Sequence, residues 1–314
     1  MNKVISVIGG DDRQVALLDI INKNGFEVRV YGFDKLLTLP SEVKSYDRLA
    51  PDLFDVELIF MPIPCSTDGV HLNARYGGED IYIADILKHI KPGTLVIMGK
   101  ADINMINAAM YGGFHIADIM TREDFAVLNS IPSAEGALQI AMENTSITIW
   151  NSRCLVLGFG RLGSVLTKLL IAIGAKVTAT ARKPEDLAWI SAYGAVPIHT
   201  SKIDNVLHEQ DMIFNTIPSV ILKDEQLAKI KNSCLIIDLA SYPGGVDFAA
   251  AKEYGVKTMF CPGLPGKVAP LTSAQFIWDT AMSICKENGI EEAKCDELDG
   301  QEDRHGHDGF ILHI

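Results

Sequence analysis

The 314-residue sequence predicts an α/β protein made of two doubly wound parallel sheets. Three observations carry that expectation. Short β-rich apolar runs alternate with helical patterns along the first half of the chain. The alternation restarts at Arg153 after a long helical stretch. A glycine-rich turn then joins a strand directly to a helix. Strand, helix and strand repeated in this way give a parallel sheet with helices on both faces, and strand twist makes the crossovers right-handed.

In the first half, Val4-Ile5-Ser6-Val7-Ile8 reads as a strand ending in Gly9-Gly10-Asp11-Asp12-Arg13-Gln14, with an amphipathic stretch to Asn24. Further strands are expected at 27–31, 56–61, 95–98 and 114–116, with helical patterns at 81–88 and 105–110. Pro132-Ser133-Ala134-Glu135-Gly136 opens a long helical stretch to Met142, which ends near Asn144-Thr145-Ser146. The second half gives strands at 153–157, 176–181, 212–215, 234–238 and 257–259. A last amphipathic helix, 272–286, sets Phe276, Ile277, Thr280, Ala281 and Ile284 at helical spacing. It is expected to cross back onto the first domain.

Composition narrows the function classes. The chain is 48% hydrophobic and 22% charged, with a net charge of −12. That charge disfavours nucleic acid or an anionic membrane as partner, since either needs a basic field. It leaves room for an anionic small ligand held by a few local cations. The six cysteines are scattered without a CxxC pair, which fits a reducing cytosol better than a disulfide framework or a zinc site. The apolar run at 4–10 is too short for a signal peptide, and no run of about 18 apolar residues occurs. A soluble, cytoplasmic protein with no metal is expected. The tail at 291–314 is acidic, then bears His305, His307 and His313, and reads as a solvated, flexible terminus.

The strongest motif is Gly158-Phe159-Gly160-Arg161-Leu162-Gly163, placed between the strand Cys154-Leu155-Val156-Leu157 and a helix at 164–173. This is the context a Rossmann-like dinucleotide site requires. Gly158 permits the tight turn, Gly160 admits a pyrophosphate to the backbone, and Gly163 lets helix and strand pack. An NAD site carries an acid about 20 residues further on. Here Ala181 holds that position and Arg182-Lys183 follow. A missing carboxylate removes repulsion toward a 2′-phosphate, and Arg182 can clamp it, so NADP is expected. Thr216 and Pro218, after one strand, and Asp238 and Ala240, after the next, are expected to border the nicotinamide. Pro218 also reads as a helix-start proline, and Asp238 as a turn cap.

Several segments resemble the dipicolinate synthase A-subunit family over most of the chain, to about Gly289. They are Gly9-Gly10-Asp11-Asp12-Arg13-Gln14, Val30-Tyr31-Gly32-Phe33, Pro132-Ser133-Ala134-Glu135-Gly136-Ala137, Leu239-Ala240-Ser241-Tyr242-Pro243-Gly244-Gly245-Val246-Asp247-Phe248 and Gly263-Leu264-Pro265-Gly266-Lys267-Val268-Ala269-Pro270. The resemblance implies NADP-dependent oxidation of dihydrodipicolinate to dipicolinate, a flavoprotein-like B-subunit as partner, and expression in the mother cell during sporulation. It implies a build similar to that of 2-hydroxyacid and alanine dehydrogenases. The expected division is an N-terminal substrate domain at 1–130, a linking helix at 131–150, an NADP-binding domain at 151–270, a crossover helix at 271–290 and a tail at 291–314.

Such a substrate, dihydrodipicolinate or its hydroxylated precursor, carries two carboxylates, so the cleft must supply cations or helix-start N–H groups. Candidates are Arg13 at a helix start, Ser66 and Asp68 after the third strand, Lys100 after the fourth, and Lys267 before the last helix. Asp11 and His115 are candidates for moving protons. Two other readings compete on the same architecture. A 2-hydroxyacid dehydrogenase places an Arg where Ala240-Ser241-Tyr242-Pro243 stands here, and a His where Leu264-Pro265-Gly266-Lys267 stands. A non-catalytic nucleotide-binding subunit that organises its partner is the other. An oligomer is expected in either case.

Overall fold

The strands β1 (Val4–Ile8), β2 (Glu27–Tyr31), β3 (Val43–Tyr46), β4 (Leu58–Phe60), β5 (Leu95–Met98) and β6 (His115–Asp118) form the first sheet in the order β3-β2-β1-β4-β5-β6. This is seen in a computed structural model that describes residues 3–36, 38–40 and 42–290. The second sheet joins β7 (Arg153–Leu157), β8 (Lys176–Ala181), β9 (Val196–His199), β10 (Met212–Asn215), β11 (Leu235–Asp238) and β12 (Lys257–Phe260) in the order β12-β11-β10-β7-β8-β9. All pairings are parallel. The two sheets therefore share one winding, reversing between β1 and β4 and between β7 and β10.

The central strands are buried on both faces, as parallel strands beneath helices must be. In the first sheet Val7, Val28, Val30, Phe60 and Ile97 feed one core, and Ile8, Ile59, Met61, Val96 and Met98 feed the other. In the second sheet Cys154, Val156, Met212 and Phe214 face one side, and Leu155, Leu157, Ile213 and Ile236 the other.

Helices α1 (Asp12–Lys23), α2 (Ile83–Leu87) and α3 (Ile103–Gly112) belong to the first sheet. Helix α4 (Glu123–Asn144) leads to the second, which carries α5 (Arg161–Ile173), α6 (Pro184–Ala192), α7 (Asp224–Leu227), α8 (Phe248–Glu253) and the short α9 (Pro265–Val268). The last, α10 (Pro270–Glu287), returns to the first lobe as expected. Its Ala274, Ile277, Trp278, Ala281 and Ile284 pack with Leu17, Leu18 and Ile21 of α1. Trp278 lies 5.9 Å from Phe26 and 6.3 Å from Phe60, centroid to centroid. Arg122 closes the far end of α10 through a two-pronged pair with Glu287 at 2.7 and 3.0 Å.

Three elements differ from expectation. Helix α4 begins at Glu123, ahead of Pro132, and ends at Asn144, so 145–150 is not helical. Pro132 sits inside the helix, where it withholds one backbone hydrogen bond. The apolar pattern does not predict strands β3 and β9. Both are sheet edges whose residues are exposed or at most half-buried, lacking the apolar run that marks an interior strand. The tail at 291–314, including its histidines, lies outside the described residues. No described helix is long and apolar enough to cross a membrane.

Candidate active site

In an open parallel sheet, ligands collect where the carboxyl ends of the strands diverge, at the reversal of strand order. In the first sheet that point lies between β1 and β4. The chain leaves β1 through Gly9 (φ 66°) and Gly10 (φ 126°). A Cβ on Gly10 would lie 2.4 Å from Gln14 Cγ, so a side chain there collides with the start of α1. Asp11 caps that helix and forms a capping box with Gln14, whose Oε1 accepts from the Asp11 N–H at 3.0 Å.

Asp11 also holds Arg13. Arg13 Nε donates to Asp11 Oδ1 at 3.0 Å and Nη2 donates to Oδ2 at 2.7 Å. Nη2 donates in addition to the Ile63 carbonyl, while Nη1 makes no hydrogen bond among the described residues. Burial alone would raise the Asp11 pKa. The Arg13 guanidinium and N–H, with a smaller contribution from Arg75, outweigh it and hold the carboxyl below its ordinary value. Arg13 itself is only 8% exposed.

Around this pair lies a cavity of about 390 Å³, bounded by Gly10, Asp11 and Arg13, by the loop 62–64 and by the loop 72–75. The second loop is stitched to the glycine turn: Gly10 N–H donates to the Asn73 carbonyl at 2.9 Å, and Arg75 N–H to the Gly10 carbonyl at 3.0 Å. Asn73 Nδ2 donates to the Pro64 carbonyl at 2.8 Å, tying both loops together. Gly266 of α9 arrives from the other lobe, and a Cβ on it would lie 3.0 Å from both Arg13 Nε and Asp11 Oδ2.

The expected site residues separate accordingly. Asp11 and Arg13 line the cavity, and the backbone before Lys267 touches them. The exposed Lys267 side chain turns toward the Pro262 carbonyl, 3.5 Å away. Ser66 is 5% exposed and serves a turn, donating to Asp68 Oδ1 at 3.0 Å and accepting from Gly69 N–H at 2.9 Å. Asp68 binds the Val70 and His71 N–H groups and His71 Nδ1 at 2.7 Å, which holds its carboxyl well below the usual range. Lys100 (φ 61°) lies at the carboxyl end of β5, its N–H donating to Asp118 Oδ1 at 3.0 Å. Neither Ser66 nor Lys100 lines the cavity. His115 opens β6 opposite Leu95, at the amino-terminal edge of the sheet, which puts it on the wrong side for proton transfer here. Sequence reasoning missed Asn73 and Arg75, which stand in a loop without periodicity.

The second crevice is the glycine turn after β7. Gly158 has φ 95°, and its N–H donates to Thr180 Oγ1 at 3.0 Å. A Cβ on Gly163 would lie 2.2 Å from the Gly158 carbonyl, so helix and turn touch backbone to backbone. A Cβ on Gly160 meets nothing within 4 Å, leaving the approach to the α5 N-terminus open. That N-terminus has no side-chain cap, so its first N–H groups are free to bind a phosphate. These features fit a dinucleotide pyrophosphate.

Leu162 is half-buried against the core. Arg161 is exposed and pairs with Glu123 at the start of α4, Nε to Oε2 at 2.7 Å. At the end of β8, Ala181 is buried, while Arg182 and Lys183 are exposed and their side chains make no hydrogen bond or ion pair among the described residues. Thr216 lies beside the glycine turn, its Oγ1 donating to the Leu157 carbonyl at 2.9 Å. Pro218 is exposed but starts no helix, since α7 begins only at Asp224.

Asp238 takes the turn-forming role. It is fully buried, accepting from Asn215 Nδ2 at 2.8 Å, Ala240 N–H at 3.2 Å and Gly245 N–H at 2.7 Å. It thereby shapes the loop after β11 from beneath, and Ala240, 4% exposed, offers no open side chain either. Asn215, absent from the expected site residues, is the other half of this brace. Among the described residues no group of three or more His, Cys, Asp or Glu is placed to hold a metal.

Comparison with known proteins matches a family to each lobe. Residues 4–120 match the family described as the dipicolinate synthase A-subunit N-terminal domain. Residues 133–242 match the D-isomer specific 2-hydroxyacid dehydrogenase, NAD binding domain. The second lobe is thus of the nicotinamide-dinucleotide type found in oxidoreductases. The dipicolinate synthase A-subunit of Bacillus subtilis (strain 168) is 32% identical over 292 residues, 92% of this chain and 98% of that one. The crystal structure of the dipicolinate synthase A-subunit from Bacillus halodurans superposes with a TM-score of 0.81 at 31% identity, covering 90% of this chain and 97% of that one. A transhydrogenase from Sinorhizobium meliloti shares the fold at TM-score 0.64 and 16% identity, over 91% and 94% of the two chains. With a relative of 32% identity aligned along nearly its full length, the chain belongs to the dipicolinate synthase A-subunit family.

Proposed function

We propose that this chain oxidises dihydrodipicolinate to dipicolinate with NADP, the residues 1–130 holding the substrate and 151–270 the dinucleotide. The observation that carries the reading is the pair of crevices: a cation-lined cavity at the switch point of one sheet and an uncapped glycine turn at that of the other. Ala181 followed by unpaired Arg182 and Lys183 favours NADP over NAD, because a 2′-phosphate meets cations and no carboxylate.

The reaction balances simply. The dihydropyridine ring loses one hydride and one proton, and the products are dipicolinate, NADPH and H⁺. The dinucleotide supplies the hydride acceptor. The protein orients the ring: the Arg13 guanidinium, fixed by Asp11 and the Ile63 carbonyl, anchors a carboxylate at the start of α1, where helix N–H groups add to the field. Aromatisation drives proton loss, so the cavity requires no strong base. A substrate bearing a 4-hydroxyl must lose water first.

As the family name implies a second subunit, we propose a flavoprotein-like B-subunit as partner, in the mother-cell cytoplasm of a sporulating bacterium. The test assays the purified chain with freshly generated dihydrodipicolinate and either NADP or NAD, with and without the B-subunit. NADPH absorbance and dipicolinate-sensitised terbium luminescence are read together. Signal in both channels from this chain with NADP supports the reading. Tight NADPH binding with silence in both channels points instead to a subunit that organises its partner.

A further inference from the structure

We infer that Arg75 binds the second carboxylate of the substrate and makes this cavity selective for dicarboxylates over monocarboxylates. The inference rests on the functional reading above and adds a residue and a specificity to it. A single fixed cation recognises one carboxylate and leaves the other unmatched. Arg13 is such a cation: nearly buried, with Nε and Nη2 committed to Asp11 and to the Ile63 carbonyl. Among the other basic residues proposed for the site, Lys100 does not line the cavity and Lys267 points to the Pro262 carbonyl.

Arg75 lines the same cavity from the opposite loop. Its backbone is held in place, since its N–H donates to the Gly10 carbonyl at 3.0 Å and Ala74 bridges Gly10. The side chain stands largely in solvent by contrast, 61% exposed, held by an ion pair from Nη1 to Asp12 Oδ2 at 2.5 Å and by the Tyr76 ring, whose centroid lies 5.7 Å from its guanidinium carbon. Asp12 keeps a second partner in the Tyr76 hydroxyl, so it is not stranded when Arg75 turns inward. An exposed pair of this kind opens at little cost. A rigid anchored base with a movable guanidinium suits a ligand whose first carboxylate is already seated on Arg13. The planar fork then receives the second carboxylate with two parallel hydrogen bonds.

The test measures binding of dipicolinate and of picolinate, its monocarboxylate analogue, to the full chain in the presence of NADPH. Wild type is compared with Arg75→Gln and Arg75→Lys, and steady-state oxidation is followed in parallel. Arg75→Gln is expected to weaken dipicolinate about ten- to a hundredfold while leaving picolinate and NADPH unchanged, to raise KM more than it lowers kcat, and to be partly rescued in Arg75→Lys. Equal weakening of both ligands, or of neither, overturns the inference while the functional reading stands. Failure of the wild-type chain to bind dipicolinate at all overturns both.

Discussion

Gly266 stands directly against Arg13, close enough that a Cβ on the glycine would lie 3.0 Å from the arginine Nε. One residue comes from the segment that leaves the dinucleotide lobe, the other from the first helix of the chain. Their close approach makes the Arg13–Asp11 pair sensitive to a single methyl group on Gly266.

Gly266→Ala is therefore expected to disturb substrate binding with little effect on the dinucleotide. A contact at 3.0 Å forces either the pair or α9 to shift by a few tenths of an ångström. Calorimetric titration with dipicolinate and with NADPH separates the two. A loss of about tenfold for dipicolinate with NADPH unchanged is the expected pattern, on the scale of one charge-assisted hydrogen bond.

The Asp11 carboxyl has a lowered folded pKa, because Arg13 outweighs the effect of burial. A group of this sign stabilises the fold fully above its unfolded pKa, and that contribution is lost as pH falls through the folded value. The stability gap between wild type and Asp11→Asn should thus stay constant through neutral pH and shrink only in acid, below the ordinary carboxylate range. Urea unfolding at a series of pH values reads this directly. A gap that persists unchanged into strong acid would show that Asp11 acts through its shape and not its charge.

Cofactor choice is expected to reside at the end of β8. Arg182→Ala should weaken NADPH by about tenfold or more and leave NADH nearly unchanged, since only the former carries the 2′-phosphate. Ala181→Asp, added to it, should invert the preference. Fluorescence titration with both nucleotides gives the ratio. An unchanged ratio in both variants would remove the basis for NADP.

Trp278 joins the last helix to the first lobe through Phe26 and Phe60 and is 5% exposed. Trp278→Ala should cost about 3–5 kcal/mol in chemical denaturation, the usual penalty for emptying a buried aromatic position. Retention of full stability would mean that α10 is dispensable to the first lobe.

The interior of the fold was legible in the sequence because both sheets bury their central strands, so 153–157 and 95–98 read as plain apolar runs between turns. The edges were not: β3 and β9 put polar side chains into solvent and carry no such run. Pro132 misled in another way, since a proline marks helix starts far more often than helix interiors. In the site, the glycine turn, Arg13 and Asp11 were visible because they follow strands in short, ordered motifs. Arg75 and Asn73 reach the cavity through a loop pinned to Gly10 by backbone hydrogen bonds, and such a contact leaves no pattern along the chain. Asp238 showed the reverse: well placed in sequence, it is buried as a brace for its loop.

Hydride transfer within this chain is tested most directly by a single turnover with the purified protein alone, in excess over freshly generated dihydrodipicolinate, with NADP present. NADPH and dipicolinate are then expected to appear together, in equal amounts and at one rate, and Arg13→Gln is expected to slow both alike. Dipicolinate formed without NADPH, or neither formed until the B-subunit is added, would contradict hydride transfer in this chain.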